Sequence, residues 1–210
     1  MSRAYLAFTE KGMALAHRLA RALPGSVSRC GAGGVRLAEW TSTQFAQADA
    51  LIFVGAVGIA VRAIAPHCKS KATDPAVVVL DECGRFAVPL LSGHLGGANA
   101  LARALAEACG AIPIITTATD ANGVFAVDEW AKAQGCAVLE PERIKLVSGA
   151  LLAGHTVRLA SDWPVQGVGW GRRSGGFCPD PHPGKNSPRS AASGTPYRGA
   201  GRGLQAGNHS

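Results

Sequence analysis

The sequence predicts an α/β fold: a mostly parallel sheet with helices on both faces, then the start of a second small α/β unit and a disordered tail. Three observations carry this. Uninterrupted apolar runs such as ALIFVGA at 50–56 suit strands buried on both sides. Segments of helical period lie between them, and Gly, Asp and Thr gather where each run ends.

The elements follow in order. Residues 4–8 form an apolar strand, after which Met13, Ala16, Leu19 and Leu23 recur at helical spacing until Pro24 and Gly25 stop the helix. A weak strand at 27–30 leads through a Gly-rich turn to a helix over 37–46. The strand at 50–56 is followed by a helix over 58–65, ended by Pro66. AVVVLDECGRFAVPLL, 76–91, is two strands joined by a hairpin-like turn in which Asp81 and Glu82 read as solvated carboxylates. A helix over 98–108 then leads to AIPIITT, 111–117, which reads as another buried strand.

From Val127 the pattern repeats in shorter form: a helix over 128–134, a strand at 136–139, a Pro-started helix over 141–152 and a last strand, HTVRLA. The expected divisions are therefore an amino-terminal α/β domain at 1–126, the start of a middle region at 127–160, and a tail at 161–210. That tail holds 11 of the 27 Gly and 6 of the 12 Pro but only four residues from Leu, Ile, Val and Phe. So little apolar surface does not offset ordering entropy, which predicts disorder.

Charge divides the same way. Residues 1–160 carry 15 Lys+Arg against 12 Asp+Glu, so more than half of the net +7 lies in the tail. A mild excess on the fold suits an acidic small molecule and argues against nucleic acid, which asks for a concentrated basic face. The six cysteines show no paired or metal-ligand spacing, so free thiols and no metal site are expected. The longest nearly uncharged apolar run, 50–61, is too short to span a bilayer and no signal-like segment opens the chain, which predicts no membrane partner and a cytoplasmic location.

Three polar turns are candidate sites. LLSGHLGGANALA, 90–102, places Ser92, Gly93, Gly96, Gly97 and Asn99 where a strand gives way to a helix, with His94 among them. Small residues there let main chain approach an anion at a helix start, or they serve a tight turn packed on itself. VGAVGIAVR, 54–62, repeats the arrangement with Gly55, Gly58 and Arg62; Arg62 is a partner for a carboxylate or a solvated surface cation. ITTATDANG, 115–123, supplies Thr116, Thr117 and Asp120, the last a general base or a helix cap. Neither a dinucleotide fingerprint nor a P-loop is present.

Taken together, GAVGIAVRAIAP, KATDPAVVVLDECGRFAVPLLSGHLGGANALA and AIPIITTATDANGVFAVDEWA resemble, in this order, the amino-terminal part of the CbiG family, the cobalt-precorrin-5A hydrolases of anaerobic cobalamin synthesis. The resemblance is clear from about residue 50 to 130 and looser to about 159. It implies opening of the ring A δ-lactone of a cobalt-corrinoid, with loss of acetaldehyde, to give cobalt-precorrin-5B. The cobalt travels with the substrate, so no cofactor is implied, and a homodimer is the assembly to test.

Lactone opening needs an activated water and donors for an oxyanion, for which His94 or Asp120 is the base and main-chain N–H groups near 96–99 are the donors. Members of the family continue into a carboxyl-terminal domain, whereas here the α/β pattern fails near Ser161. Truncation or a shifted reading frame, with loss of activity, is the expectation drawn from that. The alternative is a non-catalytic α/β module that binds a small anion.

Overall fold

The structure, a computed structural model, describes residues 1–71, 73–159 and 178–179. They fall into two compact units, Met1–Thr117 and the chain from Ala118 onward.

The first unit is a six-stranded sheet in the order β2-β1-β3-β4-β5-β6. β1 (Arg3–Ala7), β2 (Ser26–Arg29), β3 (Ala50–Val54) and β4 (Ala76–Leu80) are mutually parallel. β5 (Phe86–Leu91) runs antiparallel to β4, and β6 (Ile112–Pro113) runs parallel to β5. All five residues of β3 and of β4 are buried because helices cover both faces, which is why neither strand shows polar alternation.

One face carries α1 (Glu10–Ala22) and α4 (Ala98–Cys109), whose Leu15, Leu19, Leu101 and Leu105 pack on Tyr5, Ile52, Val78 and Ala87. The other carries α2 (Leu37–Gln47) and α3 (Val57–Ile64), where Trp40 meets Phe53 edge to face at 5.5 Å beside Leu51, Val77 and Val79. Thr9 starts α1 by accepting the Gly12 N–H on its hydroxyl at 3.0 Å.

The hairpin turn is more than solvated carboxylates. Asp81 accepts the N–H groups of Arg85 and Phe86 on Oδ1, both at 2.8 Å, and pairs with the Arg85 guanidinium at 3.3 Å. Burial pushes its carboxyl up, but these donors and the Cys83 N–H outweigh it and hold the pKa below the ordinary aspartate value.

The expected buried strand at 111–117 shrinks to Ile112–Pro113, both exposed. The N–H groups of Ile112 and Ile114 reach the carbonyls of Arg85 and Ala87, and the chain then leaves the sheet.

In the second unit, α5 (Ala118–Ala121), α6 (Val127–Ala133) and α7 (Ile144–Leu152) are present, α7 entered by a 3₁₀ turn at Pro141–Arg143. The expected strand at 136–139 is absent. Gly135 takes a left-handed φ of 69° after α6, and the Cys136 N–H returns to the Ala131 carbonyl at 2.8 Å, so that amide closes a helix instead of joining a ladder. The last predicted strand is β7 (Arg158–Leu159), paired in parallel with β8 (Cys178–Pro179). Apart from Cys178 and Pro179, the tail expected to be disordered lies outside the described residues. Among the described residues no helix is long and apolar enough to cross a membrane.

Candidate functional site

The β4–β5 hairpin decides where the predicted residues go. Each candidate turn follows the carboxyl end of its own strand, but β5 and β6 run opposite to β3 and β4. Ser92, Gly93, His94, Gly96, Gly97, Asn99, Thr116 and Thr117 therefore gather beside the start of β4. Gly55, Gly58 and Arg62 lie at the other end of the sheet, one six-residue strand away, or roughly 20 Å. The 92–99 turn and the 54–62 turn therefore stand at opposite ends of the sheet. Asp120 belongs to α5 in the second unit.

The 92–99 loop is built on Ser92. Among the described residues it is the one non-glycine residue with a left-handed backbone, φ 56°, and its buried hydroxyl donates to the Asp74 carbonyl at 2.8 Å. That bond directs the Ser92 hydroxyl proton at a carbonyl oxygen, too weak a base to activate the serine as a nucleophile. Asp74 is itself buried, and its carboxylate accepts the N–H groups of Lys69 and Ser70 at 2.9 and 3.0 Å. Asp74 is not among the candidate residues read from the sequence. Its signal was an aspartate before proline, which marks a turn whose amides need an acceptor.

The loop explains its own small residues. A Cβ on Gly96 would fall on Ser92, 2.7 Å from its carbonyl oxygen and nearer still to its Cβ, and one on Gly93 would lie 2.9 Å from Asn99 Oδ1. Gly97 caps α4 at φ 86°. The main chain folds on itself through Gly97 N–H to His94 O, Ala98 N–H to Ser92 O and Asn99 N–H to Gly93 O, at 2.9, 3.1 and 2.9 Å. Those three amides, expected as oxyanion donors, are thus occupied within the loop. What they provide is a rigid seat for side chains. His94 is half-buried, and Asn99, 1% exposed, donates from Nδ2 to Thr117 Oγ1 at 3.0 Å, tying the start of α4 to the chain that leaves β6.

At the opposite end, Arg62 turns back along α3 so that its guanidinium lies over Gly58, where a Cβ would meet Nη1 at 3.5 Å. Arg62 is exposed and forms no ion pair among the described residues. At this end of the sheet lies a pocket of about 440 Å³ lined by Gly55, Ala56, Val57, Val79, Asp81, Phe86, Val88 and Ile114.

Comparison with known proteins places both turns in one family. The cobalamin synthesis G N-terminal model matches residues 39–120, and the cobalamin biosynthesis central region model matches 125–189, continuing past the boundary near 160 drawn from composition. The chain is 46% identical over 142 residues to a cobalt-precorrin-5A hydrolase of Salmonella typhimurium, a match covering 62% of this chain and 39% of that protein. It is 40% identical over 112 residues to a cobalt-precorrin-5A hydrolase of Priestia megaterium, covering 53% and 30%. Among solved structures it is similar to a cobalamin biosynthesis protein G homologue from Sulfolobus solfataricus, with a TM-score of 0.50 at 26% identity, over 79% of this chain and 50% of that one. The chain thus spans less than two-fifths of the length of these two hydrolases. With its amino-terminal and central blocks matched in order across most of its length, the chain belongs to the CbiG family.

Proposed function

We propose that the chain acts in cobalamin biosynthesis as the amino-terminal and central part of a cobalt-precorrin-5A hydrolase. The observation that carries this is the 46% identity to a protein of that activity, together with a family match that includes the 92–99 loop and Thr117. In this reading water adds to the ring A lactone carbonyl and the acyl C–O bond breaks, leaving a carboxylate and a hydroxyl. The freed hydroxyl then loses its proton as the C–C bond joining its carbon to the macrocycle breaks, so that a two-carbon fragment leaves as acetaldehyde while the bonding electron pair and a proton go to the macrocycle.

His94 or Asp120 takes the proton from water, and Ser92, Gly93, Gly96, Gly97, Asn99, Thr116 and Thr117 shape the reacting end of the substrate site. Since three loop amides and the Asn99 side-chain amide are already bonded, the exposed Thr116 hydroxyl is better suited to the developing oxyanion. No cofactor is invoked beyond the cobalt of the substrate, and a cytoplasmic homodimer is the expected form.

The test is acetaldehyde release from cobalt-precorrin-5A by the purified chain. Release that falls by at least about 100-fold in His94→Ala or Asp120→Asn supports the assignment. Corrinoid binding with no release from the unaltered chain would favour a non-catalytic binding module.

A further inference from the structure

Asp74 joins two loops that are far apart in the chain. It is 8% exposed, and its Oδ2 accepts the N–H groups of Lys69 and Ser70 at 2.9 and 3.0 Å. Its own N–H donates to the Ser70 carbonyl at 2.8 Å. Bonds to a charged acceptor are stronger than neutral ones, so the residue is fixed firmly to the 69–70 turn. Pro75 follows, buried, and restricts the residue before it to extended backbone. The aim of the Asp74 carbonyl is thereby set from both sides, and that carbonyl accepts the Ser92 hydroxyl at 2.8 Å.

Inward from Ser92 the loop is closed on itself. The Ser92 carbonyl accepts the Ala98 N–H at 3.1 Å, while the carbonyls of Gly93 and His94 accept the N–H groups of Asn99 and Gly97, both at 2.9 Å. A loop braced in this way moves as one piece, and the piece leaves β5 at Ser92, the residue held at φ 56°. A non-glycine residue keeps a left-handed backbone only where its surroundings over-determine it, and here the bond to Asp74 does so. A change in the Ser92 torsions therefore carries His94, two residues on, to a new place. The Asp74 carboxylate is buried and bonded to its own turn, so its influence on the reacting loop passes through Ser92 and not through contact with substrate.

We propose that Asp74 is a positioning residue for the 92–99 loop: its side chain orients its carbonyl, the carbonyl holds Ser92, and Ser92 sets the direction in which His94 is presented. The consequence for turnover rests on the hydrolase reading above; the placement of the loop does not.

The experiment is a double-mutant cycle on the whole chain: Asp74→Ala, Ser92→Ala and the two together, each checked for folding by thermal melting. Asp74→Asn is added because it keeps an oxygen for the two N–H groups, and Asp74→Ser, a weaker acceptor, replaces Asp74→Ala in the cycle should the latter not fold. The first readout is the imidazole Cε1–H resonance of His94 in the proton NMR spectrum, identified by its absence from His94→Ala. It should shift or broaden in Asp74→Ala and in Ser92→Ala, change little further in the double variant, and stay close to its original position in Asp74→Asn. The second is acetaldehyde release: in Asp74→Ala kcat should fall roughly tenfold or more at a KM changed by less than about twofold, the scale of a small misplacement of a reacting group, and Asp74→Asn should restore most of it. Residues that act through one another give non-additive losses, whereas a turn cap with no bearing on the loop adds its loss to that of Ser92→Ala. An unmoved His94 signal in Asp74→Ala, or kcat losses that add in the double variant, would overturn the proposal. A His94 signal that moves in a chain releasing no acetaldehyde keeps the positioning and removes the hydrolase; release with an unmoved signal does the reverse.

Discussion

The hydroxyl of Ser92 and the carbonyl of Asp74 join the exit of β5 to the entry of β4 across 18 residues of chain. A left-handed serine costs about 1–2 kcal/mol relative to the right-handed region, and its bond to a buried carbonyl is what holds it there. Ser92→Ala keeps the backbone cost and removes the donor, so it should destabilise by about 1–3 kcal/mol. Ser92→Gly removes both and should lose less. Urea midpoints of the two variants check this; equal losses would mean that the backbone angle carries no cost.

Gly96 and Gly58 should respond in opposite directions to alanine. At Gly96 the new Cβ collides with Ser92 main chain, and a loss of more than about 2 kcal/mol is expected as the loop is forced open. At Gly58, in the first turn of α3, it meets only the mobile tip of Arg62, and helix propensity predicts a gain of up to about 1 kcal/mol. Thermal melting distinguishes them, and a gain at both positions would refute the packing described for the loop.

Asn99→Ala removes the bond to Thr117 from a nearly fully buried position. The expected stability loss is about 1–2 kcal/mol. If the loop is the reacting end, turnover should fall more than substrate affinity. Steady-state kinetics checks this through a drop in kcat at nearly unchanged KM.

Asp81 should make the hairpin sensitive to acid. Its folded pKa is depressed by the N–H donors of Phe86, Arg85 and Cys83 acting against burial, so it binds protons less readily folded than unfolded. The stability it contributes is present above the unfolded value near 3.8 and is lost as pH falls through the lower folded value. Asp81→Asn should therefore narrow the stability difference from the unaltered protein as pH is lowered from 6 toward about 3, measured by urea unfolding at each pH. A constant difference would contradict a depressed carboxyl.

The runs at 50–54 and 76–80 were legible because helices cover both faces of β3 and β4, leaving no polar position to blur them. The helices were legible for the complementary reason that each has one wet face. The length of the strand at 111–117 was not, since the apolar run AIPII looks buried until the strand order puts it at the edge of the sheet, where Ile112 and Pro113 are exposed. The hairpin was readable from its turn, but its consequence was not drawn: reversing one strand moves every later turn to the far end of the sheet. At the loop itself, composition pointed to small residues without telling whether a ligand or the chain was the neighbour. Ser92 beneath Gly96 and Asn99 beneath Gly93 supply the answer.

Pro113 has one more effect. In β6 the N–H groups of Ile112 and Ile114 point inward to β5, so the residue between them faces outward, and that residue has no hydrogen to offer. An incoming strand from another molecule would find a single acceptor and no donor along this two-residue border, next to isoleucines that would otherwise attract it. The imino acid thus acts as a guard against edge-to-edge pairing of sheets, at an edge that exposes both backbone and aliphatic side chains.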